Sequence, residues 1–163
     1  MKENPFTYTQ KDCDIKKLKG RGISGGEAEG IVLLADPLSF LGGVDERGII
    51  IDKKNRAYGK SVKNKILVFP HGIGSTVGSY VLYGLKKRGC APAALINEKA
   101  ETIVAVGAVI SDIPMVDNID IEKLFDGDCA KVNGKKGIVE IIVKIKDFHN
   151  QKNLKKKFSN NHL

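Results

Sequence analysis

The chain has no tryptophan, and aromatic residues fill only 6% of its positions. A close-packed interior must then be built from aliphatic side chains, and no aromatic pattern for stacking nucleobases is present. Cysteine is scarce and scattered: Cys13, Cys90 and Cys129 lie far apart without a CxxC spacing. An odd, dispersed set argues against a full disulfide framework and makes a reducing cytoplasm the expected setting. No apolar run approaches the roughly 20 residues that cross a bilayer. No signal-peptide pattern is visible either. A soluble cytoplasmic protein with no membrane partner is expected.

What is present is a 42% hydrophobic chain of 163 residues with 18 glycines, enough for one core with many tight turns. The net charge of +8 invites a nucleic-acid reading, but its distribution opposes it. Residues 1–21 and 147–163 together supply +6 of the +8, and the middle is nearly balanced. Basic ends of this kind read as solvated tails. The expected organisation is a flexible N-terminal tail over 1–14, one domain over 15–146 and a basic disordered tail over 147–163. No internal repeat or linker divides the core.

The stretch from Val68 to Gly89, VFPHGIGSTVGSYVLYGLKKRG, organises the rest. Ile66 to Phe69 is a short branched apolar run stopped by Pro70 and Gly72, the mark of a buried strand. Gly72-Ile73-Gly74 permits a sharp turn. Ser75 or Thr76 is the expected N-cap of a helix. Val77, Val81 and Leu85, with Tyr80 beside them, set its expected apolar face. Lys86, Lys87 and Arg88 suit the negative end of the helix dipole, and Gly89 is the expected stop. Open N–H groups at such a helix start, beside the hydroxyls of Ser75, Thr76 and Ser79, suit an anion or an oxyanion. An ordinary capped turn fits the same spacing.

Elsewhere, Ile15 to Ile23 reads as an exposed edge strand. Through Ser24-Gly25-Gly26 it is expected to form a hairpin with Glu27 to Ala35, whose buried part is Ile31 to Leu34. Leu38 to Asp45, LSFLGGVD, reads as a packed turn. Gly48 to Ile51 is a short strand, and 52–65 is mostly loop. Ala91 to Asn97 is another buried strand, so the strand–helix–strand order predicts a right-handed parallel crossover. Glu101 to Ser111 is assigned to a short helix and Ile113 to Asp117 to a strand. Ile119 to Phe125 has modest helical character. Cys129 to Asn133 and Gly137 to Ile145 form a hairpin through Asn133-Gly134. The class is α/β and β-rich, with barrel-like sheets packing against two or three helices.

Four stretches together carry a resemblance. They are Gly20-Arg21-Gly22 with Gly30; LSFLGGVD; Pro70 to Leu82, PHGIGSTVGSYVL; and Arg88 to Leu95, RGCAPAAL, followed by Val104 to Ala108 and Pro114 to Asp117. In this order they resemble the swivel domain of the aconitase X family over about residues 15–145. Ile73 stands where many bacterial members, fused to their large domain, carry an arginine two residues before the matching serine. GIGSTVGSYV is the form of the archaeal separate subunits, which points away from hydroxyproline-type substrates.

The resemblance implies a swivelling β/β/α domain that closes over a large partner subunit. That partner would carry a [4Fe–4S] cluster, so no metal is expected on this chain. It further implies a hydro-lyase acting on a phosphorylated hydroxy acid: (R)-5-phosphomevalonate loses water to give trans-anhydromevalonate 5-phosphate in the archaeal mevalonate route. Ser75 matches the family's proposed proton acceptor, and Gly74, Thr76, Gly78 and Ser79 would shape the substrate pocket. Serine is a poor base in water, so its alkoxide needs the helix start and glycine N–H groups to offset burial. His71, near-neutral in intrinsic pKa, is the less favoured base. The three cysteines are read as structural. Two other readings remain: a related dehydratase of another hydroxy acid, and a non-catalytic module binding a phosphate or partner.

Overall fold

A computed structural model describes residues 13–144. The basic C-terminal tail and most of the N-terminal tail expected from the sequence lie outside the described residues. The strands are β1 (Cys13–Lys19), β2 (Arg21–Ser24), β3 (Glu27–Leu34), β4 (Ile66–Phe69), β5 (Ala94–Asn97), β6 (Met115–Asp117), β7 (Cys129–Asn133) and β8 (Ile138–Lys144). The helices are α1 (Phe40–Gly43), α2 (Gly78–Lys87) and α3 (Thr102–Ile110), with a 3₁₀ turn at Ile121–Lys123. The strand order is β1-β8-β7-β3-β4-β5-β6-β2. β3 to β6 run parallel, while β1, β8, β7 and β3 form an antiparallel wing.

The parallel strands are the middle of three layers, between the antiparallel wing and the helices. On β4, Leu67 and Phe69 join the cluster that includes Leu82 and Leu85 of α2 and Val104 and Ala108 of α3. The alternating residues Ile66 and Val68 join Ala130, Val132, Val139 and Ile141 of the wing. A strand covered on both faces needs no polar alternation, which is why ILVF and ALIN read as unbroken apolar runs. The β/β/α layering and the parallel β4–α2–β5 unit agree with expectation.

The expected first strand is divided. Gly20 separates β1 from β2, which then lie at opposite edges of the strand order. The two edges therefore meet at one corner, where the Gly20 N–H donates to Gly137 O and the Gly134 N–H to Gly26 O, both at 2.8 Å. A Cβ at Gly20 or Gly134 would collide with the carbonyl of Asp117 or Ser24. This close approach curls the sheet into its barrel-like form. It also overturns the expected hairpin between the Ile15–Ile23 region and β3, since β2 pairs with β6 and β3 with β4 and β7. The Asn133-Gly134 hairpin forms as expected between β7 and β8. Gly48 to Ile51 forms isolated bridges rather than a named strand.

Candidate functional site

Open α/β sheets place their sites beyond the carboxyl ends of parallel strands. Here that end of β4 leads into the turn 70–77. Pro70 O accepts from the N–H groups of Glu98 and Lys99, which ties the turn to the loop after β5. His71 O accepts from Leu38 N–H (3.3 Å) and Leu38 O from Ile73 N–H (3.0 Å), which zips the turn to the segment before α1. Gly74 then takes φ +93°, a left-handed conformation that favours glycine. Its Cα faces Ser39, so an added Cβ would strike the Ser39 hydroxyl, which donates to Leu41 O at 2.8 Å. Sequence reasoning passed over Ser39, although LSFLGGVD contained it.

Ser75 is exposed. Its Oγ accepts from Val77 N–H at 3.2 Å, and its carbonyl accepts from Gly78 N–H at 2.9 Å. Thr76 O accepts from both the N–H and the hydroxyl of Ser79. The expected helix start is thus displaced: α2 begins at Gly78, Val77 holds the cap position, and no side chain caps it. The tight turn over 75–78 takes up these donors before the helix proper begins. The open donors differ accordingly. Val77, Gly78 and Ser79 N–H groups are occupied, while those of Gly74, Ser75 and Thr76 have no hydrogen-bond partner among the described residues.

Of the expected pocket, the structure brings Gly74, Ser75 and Thr76 together at the surface. Gly78 and Ser79 are buried beneath them. Gly78 packs near Ile103 and Phe40, and the Ser79 hydroxyl is spent inside the turn. His71 is exposed, and its Nδ1–H donates to Gly72 O at 3.0 Å.

The expected apolar face of α2 is also rotated. Gly78, Ser79, Leu82 and Leu85 are buried, whereas Val77 is 48% and Tyr80 70% exposed. Ile73 and Leu41 are exposed apolar side chains as well, and Leu41, Val77 and Tyr80 line one groove between α1 and α2.

Below the turn lies a polar floor that the sequence did not reveal. Asn97, fully buried at the end of β5, donates through Nδ2 to Phe69 O (2.9 Å) and Ile96 O (3.2 Å), leaving its Oδ1 unpaired. Glu101 caps α3 by accepting from Ile103 N–H through Oε1. Its buried Oε2, unpaired, is where a Cβ on Gly72 would press. Asp117, fully buried, accepts Arg21 Nε (2.9 Å) and Nη2 (2.7 Å) and Ala100 N–H (2.9 Å). Burial pushes its carboxyl up, but the hydrogen bonds from Arg21 and Ala100 and the Arg21 charge prevail and hold it below the usual range.

The donor set of the described residues does not fit a metal cluster. Among the described residues no three His, Cys, Asp or Glu side chains gather in an arrangement that could hold a metal ion. Cys13 lies on β1, Cys90 follows α2, and Cys129 starts β7, where burial pushes its thiol up. Nor is any described helix long and apolar enough to cross a membrane.

Comparison with known proteins follows this geometry. The sequence pattern described as "Aconitase X swivel domain" matches residues 17–141. The chain is 58% identical over 131 residues to the phosphomevalonate dehydratase small subunit of Methanosarcina acetivorans, covering 77% of this chain and 91% of that one. It is 59% identical over 128 residues to the subunit of the same name from Thermococcus kodakarensis, covering 77% and 96%. Among solved structures, Thermococcus kodakaraensis aconitase X in its holo-form superposes with a TM-score of 0.76 at 58% identity, over 77% of this chain and 98% of that one. The solution structure of a UPF0107 protein superposes at 0.71 with 47% identity, over 77% and 98%.

Proposed function

The chain belongs to the aconitase X swivel-domain family, and from that membership we propose that it is the small subunit of a phosphomevalonate dehydratase in which Ser75 is the proton acceptor. The reaction removes water from (R)-5-phosphomevalonate. A proton leaves the carbon α to the carboxylate, the hydroxyl leaves the adjacent carbon, and trans-anhydromevalonate 5-phosphate remains. The reading places this work in the cytoplasm, in a heterodimer with a large subunit. The [4Fe–4S] cluster and its chemistry are assigned to that partner.

One observation carries the assignment to Ser75: it stands exposed at the carboxyl edge of the parallel sheet, in a turn whose Gly74, Ser75 and Thr76 N–H groups have no partner among the described residues. A serine acts as base only where its alkoxide is stabilised. The Val77 N–H, which donates to the Ser75 Oγ at 3.2 Å, and the positive end of α2 behind it supply that field. The buried hydroxyl of Ser79 holds the turn in shape by donating to Thr76 O at 2.9 Å. Ile73 beside it offers no charge to a substrate carboxylate, so the substrate's anionic groups are assigned to the partner and to the turn amides.

The test is reconstitution with the large subunit and an assay of water loss from phosphomevalonate, with hydroxyproline isomers as the contrast. Ser75→Ala is expected to assemble normally and to lower kcat by about 10²-fold or more. An assembled Ser75→Ala pair with near-normal turnover would overturn the assignment.

A further inference from the structure

We propose that Asn97 is a positioning residue for Ser75: its buried amide fixes the direction in which the chain leaves β4, and with it the place of the Ser75 hydroxyl. The role rests on the reading of Ser75 above and adds a residue that acts through it. Asn97 is the one polar residue of β4 and β5, and it is fully buried. Its Nδ2 donates to Phe69 O at 2.9 Å and to Ile96 O at 3.2 Å. Both neighbours are carbonyl oxygens, which only accept, so one orientation of the amide serves them. Oδ1 is then left buried without a donor. An unpaired buried acceptor is destabilising, and an apolar side chain of the same branching would avoid it. A core strand that keeps such a group breaks a packing rule, and breaches of that kind gather where function needs them.

What the amide holds is the root of the turn. Phe69 is the last residue of β4 and the register partner of Asn97. One residue on, Pro70 O accepts from the N–H groups of Glu98 (3.1 Å) and Lys99 (3.2 Å). Two successive carbonyls at the exit of β4 are therefore held by residues 97–99. Gly72, further along the turn, lies against Glu101 and Val104. The holding segment is itself fastened to the end of β6. Glu98 O accepts from Asn118 N–H at 3.1 Å, and Ala100 N–H donates to Asp117 Oδ2 at 2.9 Å. The turn that carries Ser75 is thus referred to a rigid strand through Asn97. A base must stand within hydrogen-bond reach of the proton it takes, and a misplacement near 1 Å costs about 10²-fold in rate.

The test is a double-mutant cycle between Asn97 and Ser75 in the pair reconstituted with the large subunit. Asn97→Leu exchanges the amide for an apolar side chain of like branching, and Asn97→Ala removes it. With Ser75 present, each is expected to lower kcat about tenfold or more and to leave KM within about threefold. In the Ser75→Ala background neither is expected to lower the residual turnover by more than about twofold. Asn97→Leu should melt within about 5 °C of the parent. Val132→Ala is the control for stability alone, a core truncation on the wing side of the sheet. It should lower the melting temperature and keep the parental kcat wherever the pair is folded. Parental kcat in the Asn97 variants, the same fold-loss in both backgrounds, or an equal loss in Val132→Ala would overturn the proposal. Failure of both Asn97 variants to fold would overturn it too, because the amide would then serve the scaffold. Failure of the functional reading looks different: the native pair would leave phosphomevalonate unchanged, or Ser75→Ala alone would keep near-normal turnover.

Discussion

Gly74 carries two constraints at once, a φ of +93° and a Cα pressed toward Ser39. An alanine there must adopt a left-handed backbone and displace a hydroxyl, at a cost of about 1–3 kcal/mol. Gly74→Ala is therefore expected to lower the melting temperature and, by moving Ser75, to reduce turnover more than Ser39→Ala does; denaturant melts and kinetics of the reconstituted pair measure both. Asp117 gives a pH signature. Its folded carboxyl titrates below the ordinary range, so its stabilisation is complete above the unfolded carboxylate pKa. It is lost as pH falls through the lower folded value. Melting curves from pH 6 down to pH 2 should show that loss, and Asp117→Asn should flatten it. The residues that carry these effects differ in how visible they were. Ser75 was legible because a hydroxyl in a glycine-rich turn is a local pattern. Asn97 and the Arg21–Asp117 pair act through neighbours distant in sequence, and spacing holds no record of them; Ser39 and Glu101 bond locally to Leu41 and Ile103, but only the fold brings them against Gly74 and Gly72.

At the scale of the element, α2 shows how a periodicity can be read correctly and oriented wrongly. Val77, Val81 and Leu85 do recur at helical spacing, but so do Gly78, Leu82 and Leu85. The small residues Gly78 and Ser79 decide between them, because α3 packs against α2 so closely that a Cβ on Gly107 would come within 3.2 Å of the Ser79 Cα. Hydrophobicity alone does not weigh smallness as a reason for burial. Leu82→Ala should cost about 2–5 kcal/mol in the isolated chain. Tyr80→Ala should cost under about 0.5 kcal/mol. Urea denaturation of the two variants tests which side faces inward. The helix end was easier to read than its start. Gly89, at φ +71°, passes its N–H to Lys86 O while Cys90 passes its own to Leu85 O, a glycine-dependent closure visible in the sequence.

Across the whole molecule, the strands that were apolar throughout were placed from sequence, because burial on both faces leaves a composition that needs no partner to recognise. The route of the chain through the sheet was not. Splitting one expected strand at Gly20 sends its halves to opposite edges, and only the three-dimensional meeting of Gly20, Gly22 and Gly134 explains why. Gly134→Val should prevent that corner from closing and leave little folded protein, as judged by circular dichroism. Hydrogen exchange offers a global check on assembly. The amides of Gly74, Ser75 and Thr76, unpaired in the free chain, should exchange quickly alone and slow markedly when the large subunit is added.

The late beginning of α2 reaches further than the turn itself. The scaffold asks position 75 chiefly for a backbone carbonyl, which Gly78 engages and which every amino acid possesses. Folding and the proposed chemistry are thereby uncoupled at this position. A lineage can rewrite that side chain, and with it the reactivity on offer, while the architecture beneath is inherited intact.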